Sequence, residues 1–194
     1  MFKKLLSFIL GLSCRKYSRD RLWKMREKAK TAKFEPIRML YEVKYNRIIE
    51  SAGAYIPLQA HFDKRPVFPH WIYGIFISQG ARIGSNCTIF HQVTIGSNTL
   101  PNSRGEGYPS IGDNVYIGAG AKIIGGVRIG NNVRIGANCV IVSDIPDNAT
   151  VVLSKPRIIT HDVQQENSFV EVKKEKASNS SDSYVSHQYK KETT

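Results

Sequence analysis

A mainly β protein built as a parallel β-helix is the fold class this sequence predicts, and three observations carry the prediction. An isoleucine recurs every six residues from Ile77 to Ile95 and again from Ile111 to Ile141. The fourth residue beyond each is usually small or β-branched: Ala81, Cys87, Val93 and Thr99, then Val115, Ala121, Val127, Val133, Cys139 and Ile145. The interruption between the two series has the composition of a surface loop. A six-residue period suits neither a lone helix nor a hairpin, but it suits short strands and turns coiling into a prism in which isoleucines stack over isoleucines.

The elements follow in order. Residues 1–54 read as a basic helical segment, with fourteen Lys/Arg against five Asp/Glu in the first fifty positions and a formal charge of +12 for the whole chain. Phe2, Leu5, Leu6, Ile9 and Leu10 share one helical face beside Lys3 and Lys4. That run is too short to span a bilayer; it fits packing on its own domain or a sister subunit, or a peripheral contact with an anionic membrane. Gly11 stands where a lipoprotein site at Cys14 wants an aliphatic residue, so export is not expected. Residues 18–33 are helix-compatible, and from Ile37 to Glu50 the apolar residues Ile37, Leu40, Tyr41, Tyr45, Ile48 and Ile49 lie near one stripe, with Gly53 as the stop.

The prism is expected over 55–161. Ile56, Phe62 and Phe68 extend the ladder backwards, giving thirteen rungs, with a three-residue insertion between Phe68 and Ile77 and a ten-residue loop at 101–110, PNSRGEGYPS. The repeats are expected to stop after Asp144, leaving 145–157 as a cap. Residues 162–194 are polar and predicted to be a disordered tail. Cys14, Cys87 and Cys139 form no paired spacing; the last two occupy the small inward position of their rungs. A reducing, cytoplasmic setting is the default. No nucleic-acid motif accompanies the positive charge, so no nucleic-acid partner is expected.

Counting three rungs per coil places the rung of Phe68 beneath that of Ile89, so His70 and His91 should stack on one face in adjacent coils, about 4.8 Å apart at the backbone. Above them fall Ala119 and Ala137, flanked by Gly118, Gly120 and Gly136. Two histidines below small rungs suggest a groove in which a slender ligand lies against backbone. His61 and His161 read as structural or exposed, and His187 lies in the tail.

The six-residue grammar resembles that of the hexapeptide-repeat acyltransferases, whose β-helix is left-handed with three hexapeptides per coil. IGAGAKIIGGVRI from Ile117 to Ile129 and VTIGS from Val93 to Ser97 are similar to the serine acetyltransferase branch. The resemblance implies acetyl-CoA as co-substrate, no metal, and a trimer with the groove between neighbours. His70, in FPHWIYGIFI, takes the position of the general base that removes the acceptor hydroxyl proton. His91 fits either an active-site neighbour or a solvated side chain. Gly118, Ala119, Gly120 and Lys122 match the stretch that meets the cofactor, where glycine alternatively serves a tight turn. Ala137 continues that groove, and Lys155 and Arg157 suit the cofactor phosphates or are simply exposed.

The departures bear on the acceptor. Tyr55 stands where the branch carries the carboxylate that orients the histidine, Pro69 where it carries an acidic residue, and Gly107-Tyr108-Pro109 where it carries Arg-His-Pro. Tyr55, Arg104 and Tyr108 are therefore the candidate substrate contacts. With those groups absent, the resemblance turns toward surface-polysaccharide O-acetyltransferases. The expected reaction is acetyl transfer to a saccharide hydroxyl, with a saccharide or lipid-linked glycan as the acceptor held near the inner face of the membrane. Serine O-acetylation is the alternative, and a non-catalytic scaffold or binding module is a third reading. A three-histidine zinc set is not evident from His70 and His91.

Overall fold

A computed structural model describes residues 19–168. Among the described residues two helices, α1 (Arg19–Thr31) and α2 (Glu35–Ser51), precede twelve short strands. These are β1 (His61–Phe62), β2 (Phe76–Ile77), β3 (Arg82–Ile83), β4 (Thr88–Ile89), β5 (Thr94–Gly96), β6 (Ser110–Ile111), β7 (Tyr116–Ile117), β8 (Lys122–Ile124), β9 (Arg128–Ile129), β10 (Arg134–Ile135), β11 (Val140–Ile141) and β12 (Thr150–Val151). All pair in parallel, in three sheets ordered β2-β5-β8-β11, β1-β3-β6-β9 and β4-β7-β10-β12. Each sheet is one side of a triangular prism.

The register is that of the isoleucine ladder. Ile77 pairs with Ile95 and then Ile123 and Ile141; Ile83 with Ile111 and Ile129; Ile89 with Ile117 and Ile135. The rung isoleucines point inward and are almost wholly buried, while the residue before each faces out. Burying each is worth roughly 1.5–3 kcal/mol, and the parallel main-chain bonds leave each coil resting on the one below. Cys87 and Cys139 are free thiols packed into this core, and burial pushes the Cys87 thiol up. Tyr55 pairs with Phe76 and Val67 with Thr88, so the rungs of Ile56 and Phe68 do belong to the lowest coils.

Two expectations change. The repeats do not stop at Asp144: Ile145 bridges Ile129 and Val151 pairs with Ile135. Four residues instead of six separate Ile141 from Ile145, and that shortened step hides the continuing ladder from a strict six-residue count. The apolar stripe of α2 is also only half used. Tyr45, Ile48 and Ile49 are buried, whereas Ile37 and Leu40 are about half exposed, because only the C-terminal half of the helix is covered by the prism core.

One side chain joins the helices to the prism. Arg26 is 2 % exposed and donates to the main-chain oxygens of Pro57, Leu58 and Ala60 at 2.9, 3.1 and 2.5 Å and to the Tyr45 hydroxyl at 3.2 Å. Tyr45 in turn donates to the Ile56 oxygen at 2.7 Å, and burial raises its phenol above the ordinary tyrosine value against the opposing pull of Arg26.

The compact unit containing helices and prism ends at Lys155; residues 156–194 form a second unit, whose described part, 156–168, has no regular strand or helix. The expected apolar face of Phe2 to Leu10 and most of the expected tail lie outside the described residues. Among those described, no helix is long and apolar enough to cross a membrane.

Candidate active site

The corner between the β4-β7-β10-β12 side and the β2-β5-β8-β11 side carries the histidines. Because Val67 lies under Thr88, His70 lies under His91. Their Nδ1 atoms are 3.0 Å apart and their ring centroids 5.0 Å. His70 is exposed and His91 partly buried. The insertion after Phe68 forms a turn through residues 69–74, in which Trp71 takes a left-handed φ of 62° and Gly74 donates to the Ala52 oxygen at 3.1 Å. Trp71 thus turns the corner as Gln92 does one coil above, which keeps His70 in register beneath His91.

Above the pair the corner narrows to small residues. A Cβ added at Gly118 would sit 2.6 Å from the Ala137 nitrogen, so only glycine lets these coils close. Gly120 N–H donates to the His91 oxygen at 3.0 Å and Asn138 N–H to the Ala119 oxygen at 2.8 Å. Lys122 is part of the wall: its Nζ donates to the Gln92 oxygen at 2.8 Å, holding the left-handed turn at Gln92. The amides of His91, Ala119 and Ala137 have no protein acceptor among the described residues.

The remaining candidates lie elsewhere. Arg104 and Tyr108 sit on the loop at the next corner, pinned by the Asn98–Gly107 bridge and by an Asn98 side-chain bond to the Arg104 oxygen; the Tyr108 ring covers Gly80. Tyr55 is on the lowest coil, exposed beneath Phe76. Lys155 closes the compact unit and Arg157 lies in the second unit. Among the described residues no group of three His, Cys, Asp or Glu side chains is placed to hold a metal.

Two features escaped the sequence reading. Phe90 packs edge-on against His70 at 5.1 Å and tilts onto Tyr116 at 5.1 Å, forming an aromatic row beside the histidines. At the corner between the β1-β3-β6-β9 and β4-β7-β10-β12 sides, Asn86, Asn114, Asn132 and Asn148 link amide to amide at 2.8, 2.9 and 2.9 Å. The repeated IGSN, IGDN and IGNN were the available signal.

Three parallel sheets joined by six-residue rungs define a hexapeptide-repeat β-helix, and the sequence pattern described as "Bacterial transferase hexapeptide (six repeats)" matches residues 108–143. Within that class the chain is similar to the serine acetyltransferase-like branch, and the coil is left-handed as in that fold. Serine acetyltransferases of Helicobacter pylori and Staphylococcus xylosus are 42% identical over 89 residues and 44% over 103, covering 46% and 53% of this chain and 51% and 46% of theirs. The solved Entamoeba histolytica serine acetyltransferase isoform 3, in complex with cysteine, superposes with a TM-score of 0.61 at 31% identity over 76% of this chain and 52% of that one. The Neisseria gonorrhoeae enzyme gives 0.57 at 30%, over 75% and 54%. The chain thus spans about half the length of the relatives it matches.

These relatives overturn the saccharide acceptor expected from the sequence, and the lipid-linked glycan partner with it. The expectation rested on single positions, Tyr55, Pro69 and Gly107-Tyr108, whereas the likeness to serine acetyltransferases extends along the prism.

Proposed function

We propose that this chain transfers the acetyl group of acetyl-CoA to the hydroxyl of serine, with His70 as general base. The observation that carries the reading is the histidine corner itself: a base whose ring is held by a second imidazole at 3.0 Å, directly below unpaired backbone amides. His70 Nε2 removes the serine hydroxyl proton as the oxygen attacks the thioester carbonyl, and the same proton then passes to the departing CoA sulfur. Such bases contribute on the order of 10²- to 10⁴-fold. The amides of Ala119 and Ala137 suit carbonyl oxygens of a pantetheine arm, and one suits the oxyanion of the tetrahedral intermediate. Gly118 keeps the groove wall free of side chain, and Lys122 braces the turn beside it. Arg104 on the loop is the cation best suited to the serine carboxylate. In a homotrimer, the loop of one copy approaches the histidine corner of the next. Lys155 offers charge for the cofactor phosphates.

The test is release of free thiol from acetyl-CoA with and without L-serine, with O-acetylserine followed directly. Serine-dependent thiol release matched by O-acetylserine is expected. Thiol release indifferent to serine, or none at all, ends the reading.

A further inference from the structure

We infer that His91 is the positioning residue of this site, an imidazole that accepts the Nδ1 proton of His70 where a carboxylate would otherwise stand. The kinetic arm of the inference rests on the acetyl-transfer reading above; the spectroscopic arm does not.

A neutral imidazole has one N–H and one lone pair. Two such rings meeting through Nδ1 at 3.0 Å need a proton between those nitrogens, since two lone pairs or two N–H groups would repel. One ring must therefore donate from Nδ1. If His91 donates, the Nε2 of neutral His70 carries a hydrogen and cannot take another. If His70 donates, its Nε2 lone pair is available to an acceptor hydroxyl. Only the second arrangement turns over, and it is also the one that proton uptake locks in. Once Nε2 of His70 is protonated, Nδ1 must carry its hydrogen too, and the Nδ1 lone pair of His91 receives it. Which hydrogen a ring nitrogen bears is set by the bond its other nitrogen makes.

The surroundings leave this task to His91. Among the described residues, neither ring meets a carboxylate; the ion pairs present involve Arg38, His61 and Arg65. Phe90 holds the His70 ring edge-on, at 88°, but offers no acceptor in the ring plane. The nearby Lys122 ammonium is bonded to the Gln92 oxygen. A neutral acceptor fixes tautomer and direction without adding negative charge, so the pair supplies orientation alone.

His91→Ala should lower kcat on the order of 10- to 100-fold, less than loss of the base itself, while the KM values for acetyl-CoA and serine stay within about twofold. His91→Gln, whose amide oxygen can accept the same hydrogen, should recover most of that loss. An unchanged kcat in His91→Ala, or a His91→Gln variant no faster than the alanine variant at equal thermal midpoint, would overturn the inference. Independently of activity, long-range proton–nitrogen spectra of ¹⁵N-histidine-labelled protein should show His70 protonated at Nδ1 in the wild type and shifted toward the Nε2–H form in His91→Ala. Two wild-type rings both carrying hydrogen at Nε2 alone would remove the bond and the inference together. An Nδ1-protonated His70 in a protein inert toward serine would sink the acetylation reading while leaving the pair intact.

Discussion

Three residues past the inward apolar residue, the asparagine corner holds Asn86, Asn114, Asn132 and Asn148, with φ between 55° and 59°. The histidine corner holds Trp71, Gln92, Gly120 and Asn138 at the same places, with φ of 62°, 59°, 72° and 58°. The backbone asks for the same left-handed turn at both, yet the polar groups are disposed of differently. At the first corner the amides one step earlier, those of Ser85, Asp113 and Asn131, donate to Oδ1 of Asp113, Asn131 and Asp147 in the coil above at 2.6, 2.8 and 2.7 Å. At the second, the equivalent places above His91 are Ala119 and Ala137, which have no side-chain oxygen to offer. One corner satisfies itself. The other leaves donors without an acceptor among the described residues, and puts its two imidazoles beside them.

Substitutions should separate the two corners cleanly. His70→Ala should cost on the order of 10²- to 10⁴-fold in kcat, about 3–5 kcal/mol of barrier, with the thermal midpoint unchanged; a variant retaining wild-type thiol release would remove the base from this corner. Asn114→Ala should do the reverse. It breaks two amide links and leaves the left-handed region to a residue without the short polar side chain that favours it, for a combined loss of about 2–3 kcal/mol in denaturant unfolding, with kcat unaltered. Asn114→Gly keeps the turn and should recover the conformational part, leaving about 1 kcal/mol; equal losses in the two variants would show that the links, not the turn, carry the effect.

Gly118→Ala is the change that touches both stability and binding. Its methyl must displace the Ala137 amide, so a loss of about 1–3 kcal/mol and a raised KM for acetyl-CoA are expected together. A normal KM would argue that the groove lies elsewhere.

The smallest effect belongs to the helical end. Tyr45 has its phenol raised above 10.0 by burial, so the neutral form is the one the fold prefers. Its contribution is fully present below the unfolded value and is lost as pH rises through the higher folded value. Tyr45→Phe should cost about 1 kcal/mol near neutrality and flatten the alkaline fall in the unfolding midpoint; an unaltered alkaline limb would place that titration at another group.

Much of this was legible because repetition averages over local detail. Ile77 to Ile141 state the period, and counting across two breaks sets His70 beneath His91. What counting could not supply was the direction of the rings. Their Nδ1 contact depends on side-chain torsions, which have no periodic signature. The shortened step from Ile141 to Ile145 concealed the last rungs for the opposite reason, since it departs from the period itself. Arg26 was hidden as well. In a run as basic as RDRLWKMREKAKT a buried arginine looks like its solvated neighbours, and only the carbonyls beneath it distinguish it.

That arginine also answers a problem every open coil has. A stack of parallel strands ends in a rim of unpaired main-chain groups, a ready template for another chain to add to. Pro57, Leu58 and Ala60 lie on the first turn of the prism, and their oxygens are occupied by a guanidinium delivered from α1 and fixed by Tyr45 of α2. The helical hairpin is thus a stopper. It occupies main-chain oxygens at the floor of the prism that another chain could otherwise bond.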